Sequence, residues 1–432
     1  MLSKKKTLSN FSYALHTSSS CFRPDKEEQL ALLFSEKSPK GMLARGKGLS
    51  YSDCCVNDKG SIIDTSRLNH LLSFDDKTGL LVCQGGVTFA DLFMVDPHFL
   101  PPVIPGTLKA TVAGGIANDV HGKNNHKMGC FGHHIEWLEL QMGANTLRCD
   151  RLSHPELFFA TIGGLGLTGV IKRVAIRLHK APHFVKVTHE KFHEVKSLLQ
   201  CMQTRGLEYD YQVAWLDLLN PVRALLSLAR HCEPAHDNEV PIRRYTLPKL
   251  PFRCVYSWPM KQFNRLYFKQ RPKQEEIMPL PAFNNPLDAV QDWNRLYGKK
   301  GLLQFQALVD SAIAEEAIHA MLAIIQKHKA TPTLAVLKYF TQTGIGMLSF
   351  AKPGFTLAID FINNDAAQGA IVEMNTWVSM ASGKVYLAKD LLLSELLFKQ
   401  QYPQYPQFSH LLGHYQSTMR SDLSQRLGIT SC

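Results

Sequence analysis

Hydrophobic positions along this chain recur with two different periods. Between Leu43 and Leu178 they fall in short runs set apart by glycine: Ser61-Ile62-Ile63-Asp64, Leu80-Leu81-Val82-Cys83, Trp137-Leu138-Glu139-Leu140-Gln141, and Val170 to Leu178. Short runs bounded by turn formers predict strands, and alternation in the last puts Val174, Ile176 and Leu178 on one face. Further on, a helical period appears. From Asp310 to Lys329 the residues Ile313, Ala317, Ile318, Met321, Leu322 and Ile325 share one face, Glu315 and Glu316 stand near the start, and Lys327-His328-Lys329 complement the dipole at the end. An alternating strand at Phe355 to Phe361, a helix over Ala366 to Ser382 and a strand at Val385-Tyr386-Leu387 follow. Between these regions, Glu233 through Pro281 is proline-rich and charged and includes Arg243-Arg244 and Lys269-Gln270-Arg271-Pro272-Lys273, with mobile loops expected within it.

Composition narrows the class. The chain has 432 residues, 45% of them hydrophobic, which at roughly 100 to 200 residues per domain predicts two or three folded domains. No apolar run approaches the roughly 18 to 20 residues that span a bilayer. The basic start Met1-Leu2-Ser3-Lys4-Lys5-Lys6 is not followed by a signal-peptide core, so a cytoplasmic protein is expected. Ten cysteines include the pair Cys54-Cys55 but nothing spaced Cys-x-x-Cys, which predicts buried thiols rather than a zinc or redox motif. The net charge of +11 is spread along the chain without a recognition motif, so no nucleic-acid partner is expected.

Glycine marks the candidate chemistry. It concentrates in Ala44-Arg45-Gly46-Lys47-Gly48-Leu49-Ser50-Tyr51, in Pro105 to Lys123, and in Gly163 to Gly169. Turns without side chains let backbone amides close on a phosphate, and two such loops suit a pyrophosphate. The third segment contains G-x-G-x-x-G at Gly164, Gly166 and Gly169, yet a dinucleotide-binding loop of that type opens a helix and here a strand pattern follows. His121, His126, His133 and His134, with Cys130, are too irregularly spaced for a zinc site; they read as loop histidines near an anionic cofactor or substrate, and no metal is expected.

The order of these segments resembles the flavin-binding domain of the vanillyl-alcohol oxidase superfamily and, within it, the oxidase subunits of decaprenylphosphoryl-β-D-ribose 2-epimerases. The resembling stretches run in order over most of the chain: ARGKGLSYSD from Ala44, PGTLKATVAGGIANDVHGKNNHKMGCFGHH from Pro105, ELFFATIGGLGLTGVI from Glu156, YQVAWLD from Tyr211, PLDAVQDWNRLYGKKGLLQFQ from Pro286, VLKYF from Val336 and GKVYLAKD from Gly383. The resemblance implies an α+β chain. A PCMH-type FAD-binding fold of two subdomains would occupy residues 1–178 and be completed by 384–432, with an α+β substrate domain inserted at 179–383. FAD would lie against Ala44, Arg45, Gly46, Lys47, Gly48, Leu49, Ser50 and Tyr51, against Gly106, Thr111, Val112, Ala113, Gly114, Asn118, Asp119, Val120 and His121, and against Val170 and Tyr386. Relatives that hold FAD covalently use a histidine just before the serine of the first loop. Leu49 stands there in this chain and Cys130 is out of place for a second attachment, so FAD is expected to be non-covalent.

Lys389, in Tyr386-Leu387-Ala388-Lys389-Asp390, occupies the position of that family's catalytic lysine, where a cation stabilises reduced flavin or hydrogen-bonds the reacting hydroxyl. Tyr51 or His121 would receive the proton. Lys123, Gln306, Lys338 and Thr356 fall on substrate-pocket positions, and their chemistry suits a phosphorylated sugar. Where the family strand carries asparagine and cysteine, this chain has Thr356 and Ala358, which removes an amide and the thiol through which the family's nitroaromatic inhibitors act. Leu391-Leu392-Leu393 likewise replaces polar residues. The expected activity is FAD-dependent oxidation of a secondary hydroxyl of a sugar or polyol, with a prenyl-phosphate-linked sugar in view. A separate NAD(P)H-dependent reductase would complete an epimerisation, and the basic segment from Glu233 would rest peripherally on the inner membrane face. The alternatives are an aldonolactone or sugar-alcohol oxidase that uses oxygen, and a binding protein that holds flavin or a lipid-linked sugar without turnover.

Overall fold

The computed structural model describes residues 2–35, 38–220, 223–233, 245–248, 252–270 and 275–430. Two sheets build the first part of the chain. One runs Lys4–Ser9, His16–Phe22, Ser61–Asp64, Met42–Arg45 in spatial order, its first pair antiparallel and the other two parallel. The other is an antiparallel sheet in the order Leu71–Asp75, Leu80–Gln84, Val170–Arg177, Ile135–Met142, Asn145–Asp150. The glycine-spaced runs are therefore strands, and the third glycine segment feeds the Val170–Arg177 strand rather than a helix. Val174 and Ile176 are buried beside Leu81 and Leu138, whereas Val170 joins a separate core of Phe22, Leu30, Met42 and Ile63.

From Phe184 the chain enters an antiparallel sheet of eight strands: Glu276–Pro279, Phe184–Phe192, Arg223–Cys232, Tyr211–Asp217, Pro332–Phe340, Gly354–Ile362, Leu302–Val309 and Lys384–Val385. Side chains alternate between the faces of a strand, and directly paired residues share a face. One face carries Phe305, Ala307, Leu337, Phe355 and Leu357 against the helices Ala314–His328 and Asp365–Met380, through Ala317, Ile318, Met321 and Val378. The opposite face carries Gln304 and Gln306, then Thr356, Ala358 and Asp360, then Val336 and Lys338. In the Gly354–Ile362 strand Thr356 and Asp360 are as buried as Phe355 and Ile359, so its alternation separates core from a polar interior, not core from water.

The 310–329 segment opens with a 3-10 turn, Ser311–Ile313, capped by the Asp310 carboxylate, continues as Ala314–His328, and closes at Lys329 with φ 55°. Two expectations are corrected. In the proline-rich stretch a 14-residue helix, Ser257–Gln270, and the strand Glu276–Pro279 stand where loops are read from composition; Pro259 falls in the first turn, where no intrahelical donor is lost. Arg243, Arg244, Arg271, Pro272 and Lys273 lie outside the described residues. The strand expected over Val385-Tyr386-Leu387 is only Lys384–Val385, after which the chain turns with Lys389 N–H donating to Tyr386 O (3.0 Å).

The C-terminal helices Glu395–Gln401, Tyr405–His414 and Asp422–Arg426 return to the first sheet. Met42 N–H donates to Thr418 O (3.0 Å) and Arg420 N–H to Met42 O (2.7 Å). Arg426 forks onto the buried carboxylates of Asp53 (2.8 and 2.9 Å) and Asp390 (3.1 Å). Among the described residues no helix is long and apolar enough to cross a membrane.

Candidate active site

The strand Met42–Arg45 ends in the first glycine loop, which Arg45 pins by donating to Ser9 O (2.7 Å) and to Cys55 O. A Cβ on Gly46 would run into the Thr111 side chain, so the first and second glycine loops meet where only hydrogen fits. Thr111 Oγ1 accepts from Gly114 N–H (3.2 Å) and caps the short helix Val112–Ala117, while Val112 and Ala113 N–H bond to Val87 O and Gly85 O. Asn118 Nδ2 donates to Gly114 O (2.8 Å), and Tyr386 Oη donates to Asn118 O (3.1 Å). Asp119 adopts a left-handed φ of 38°, unusual outside glycine, and its buried carboxylate accepts from Gly132 N–H (2.9 Å) and Ser349 Oγ (2.5 Å). That turn delivers His121 to the polar face of the large sheet. Ser50 Oγ takes the Cys54 thiol (3.1 Å), Lys47 is exposed, and nothing crowds Gly106.

On the polar face, Gln306 Nε2 lies 3.1 Å from His121 Nε2 and 3.2 Å from Thr356 Oγ1. Both amide hydrogens are thereby used, so His121 Nε2 accepts and its ring proton sits on Nδ1, which is buried without a partner among the described residues. Phe340, Phe350 and Tyr386 enclose the imidazole at 4.9, 5.5 and 5.0 Å. Burial first, and then Lys338 and Lys389, hold its pKa well below the usual range, so the ring is neutral at pH 7.

Tyr51 and Ser52 N–H both donate to Ala388 O (3.1 and 3.3 Å), which sets the Lys389 ammonium 3.7 Å from the Tyr51 ring centroid. Burial lowers the Lys389 pKa to about 7, with Asp360 opposing and Lys338 assisting. Asp360 is itself pushed up to about 6 by burial, and Gln304 Nε2 donates to its Oδ1. Burial holds the Tyr51 phenol well above its usual range. Lys338 is lowered to about 8 by burial, and Lys123 to about 7 by burial and by Lys338; Lys123 Nζ donates to Phe283 O (2.7 Å) over the Phe283 ring (4.5 Å). Three lysines thus share one polar interior with His121, Tyr51 and the Asp360 carboxylate.

The other members of the histidine group separate. His126 bonds Tyr209 O (2.8 Å), His134 bonds Met128 O (2.8 Å), and His133 bonds Cys130 O (3.2 Å). Among the described residues no group of three His, Cys, Asp or Glu is placed to hold a metal. Cys130 is fully buried against Phe340, Phe350 and Tyr386. Sequence reading passes over Asp360, Gln304, Phe340 and Phe350. Period two from Thr356 and Ala358 reaches Asp360, and from Gln306 reaches Gln304; the two phenylalanines carry no local signal.

A family profile described as an FAD binding domain matches residues 20–148. Decaprenylphosphoryl-β-D-ribose oxidase of Mycolicibacterium smegmatis is 30% identical over 416 residues, covering 91% of this chain and 90% of that protein. The chain belongs to this family of FAD-dependent oxidoreductases. More distant members of the superfamily match in part: cytokinin dehydrogenase 10 of Oryza sativa is 28% identical over 48% of this chain and 41% of its own, and L-gulonolactone oxidase of Bos taurus 27% over 39% of each. The residues present fit the family's cofactor. Gly46 and Thr111 close two backbone loops on each other, the buried His121 Nδ1–H has no partner among the described residues, and the nearby lysines supply positive charge. FAD is the cofactor of this enzyme, an oxidoreductase.

Proposed function

We propose that the chain oxidises a secondary hydroxyl of a sugar or polyol to a ketone, and that a prenyl-phosphate-linked sugar is its substrate class. The observation that carries this reading is the convergence of Lys123, Lys338 and Lys389 with His121 and Tyr51 on the buried polar face of the large sheet. Residues 1–178 and 384–432 would hold FAD, without a covalent bond, through the loop, helix and aromatic positions 44–51, 106, 111–114, 118–121, 170 and 386. Residues 179–383 would hold the substrate. FAD, when bound, accepts the hydride. Lys389 binds the reacting hydroxyl and balances the developing negative charge. The neutral His121 would take the hydroxyl proton at Nε2 once the Gln306 amide hydrogen that occupies that lone pair is displaced. Tyr51 stays protonated and orients the sugar, Thr356 and Gln306 satisfy hydroxyls, and Lys123 and Lys338 pair with phosphate. The family relationship to an oxidase named for a lipid-linked ribose supports this substrate class. A separate NAD(P)H-dependent reductase would return the ketone to an inverted alcohol, and the protein would work in the cytoplasm, peripheral to the inner membrane face.

Anaerobic mixing with prenyl-phosphate-linked ribose should bleach the flavin absorbance. Lys389→Ala is expected to keep its flavin and lose at least about 100-fold in bleaching rate, the usual scale for a positioned acid–base group. Equal rates in the two proteins would overturn the assignment. Partial similarity to L-gulonolactone oxidase gives the oxygen-using alternative its standing, and substrate-dependent peroxide would favour it.

A further inference from the structure

The Ser257–Gln270 helix is apolar on two faces. Inward, Phe268 is buried and Tyr267 meets Trp215 at 5.0 Å; Trp215 pairs with Val336, two residues from Lys338. Outward, Trp258 is 71%, Phe263 56% and Leu266 54% exposed, and Tyr256, just before the helix, is 46% exposed with the Arg253 guanidinium 4.5 Å from its ring. At the helical period Phe263 and Leu266 form one outward stripe. Lys261, Arg265 and Lys269, spaced by four and all exposed, run beside it as a basic ridge, and the helix contains no acidic residue. A surface helix that packs on a core normally turns polar residues outward. Exposed aromatics flanked by lysine and arginine are instead the composition of a helix that lies in the headgroup region of a bilayer.

We infer that this helix docks the protein on an anionic lipid bilayer, with Trp258, Phe263 and Leu266 in the interface and Lys261, Arg265 and Lys269 at the headgroups. The occupant is identified by charge complementarity, since the basic ridge and the chain's net charge of +11 both favour an anionic surface. The inward face of the same helix packs through Tyr267 on Trp215, next to the strand that carries Lys338, so docking would bring the polar interior near the bilayer, within reach of a lipid-linked sugar whose tail stays in it. This purpose rests on the substrate reading above; the docking itself is measured without turnover.

The test is co-sedimentation of the flavin-loaded full chain with vesicles of phosphatidylcholine alone and of phosphatidylcholine mixed with phosphatidylglycerol. Binding is expected only to the mixed vesicles, weakening as salt rises. F263S/L266S and K261E/K269E are each expected to lose about tenfold or more in partitioning, with flavin spectrum and melting temperature unchanged. A blue-shifted tryptophan emission on vesicle addition, missing in Trp258→Phe, reports the same insertion should a double variant fail to fold. No binding to anionic vesicles at low salt, or equal binding by both double variants, would overturn docking. So would a self-associating protein whose mass falls in F263S/L266S while lipids have no effect, since a second copy would then cover the face. Loss of turnover with docking intact would count against the substrate reading alone.

Discussion

Lys389 carries its ammonium above the Tyr51 ring with Asp360 and Lys338 also acting on it, and this balance sets a pH dependence. Burial lowers its pKa to about 7, so the cation is present below that value and is lost as pH rises through it. If the cation supports hydride removal, the flavin reduction rate should fall above pH about 7. A guanidinium stays charged well beyond this range, so Lys389→Arg should be slower overall but lack that fall; stopped-flow pH profiles of both proteins decide. The glycines offer a second contrast at this scale. Gly46→Ala drives a methyl into Thr111, and an overpacking cost of about 1–3 kcal/mol should weaken FAD binding roughly tenfold or more. Gly413→Ala, in the helix Tyr405–His414 and outside the glycine loops, meets nothing among the described residues and should bind normally, which titration of the apoprotein with FAD would show.

The strand Gly354–Ile362 shows how an element assigns roles to its residues. Its register sets Ala358 opposite Gln306 and Val336, and Thr356 opposite Lys338, all toward the polar interior. Ala358→Cys therefore returns a thiol to that interior. The variant is expected to be covalently labelled by a nitroaromatic compound during turnover, with the added mass mapping to residue 358, while the parent chain gains none there. Labelling of neither chain would show that the strand does not face the reacting centre. The Asp119 turn is the complementary case. Its left-handed backbone is held by Gly132 and Ser349 from separate parts of the chain, so His121 is positioned by tertiary contacts rather than by local propensity.

Across the whole molecule, the chain leaves the N-terminal sheets at Arg177, builds the eight-stranded sheet, and comes back through the residues after Val385. Arg426 ties that return, since it joins Asp53, just beyond the first glycine loop, to Asp390, the neighbour of Lys389. Arg426→Met would leave two buried carboxylates without their cation. A loss of about 3–5 kcal/mol is expected, read as a lower denaturant midpoint together with earlier release of flavin. An unchanged midpoint would show that the C-terminal return is held by its apolar contacts alone.

By itself the sequence determined what depends on neighbours along the chain. Period two at Val170–Arg177 and the helical period at Ala314–His328 need only local stereochemistry, and the glycine loops show where side chains are excluded. It also carried enough of a family's pattern, in order, to name the cofactor. The Ser257–Gln270 helix escaped such reading because its apolar residues lie on two faces and blur the period. Only the tertiary structure showed that both faces of Gly354–Ile362 are buried, one against the helices and the other in a polar interior, because period two marks alternation and not burial. It alone placed Asp360 and three lysines from distant parts of the chain in one desolvated interior, where burial rather than residue type moves their pKa values toward neutrality.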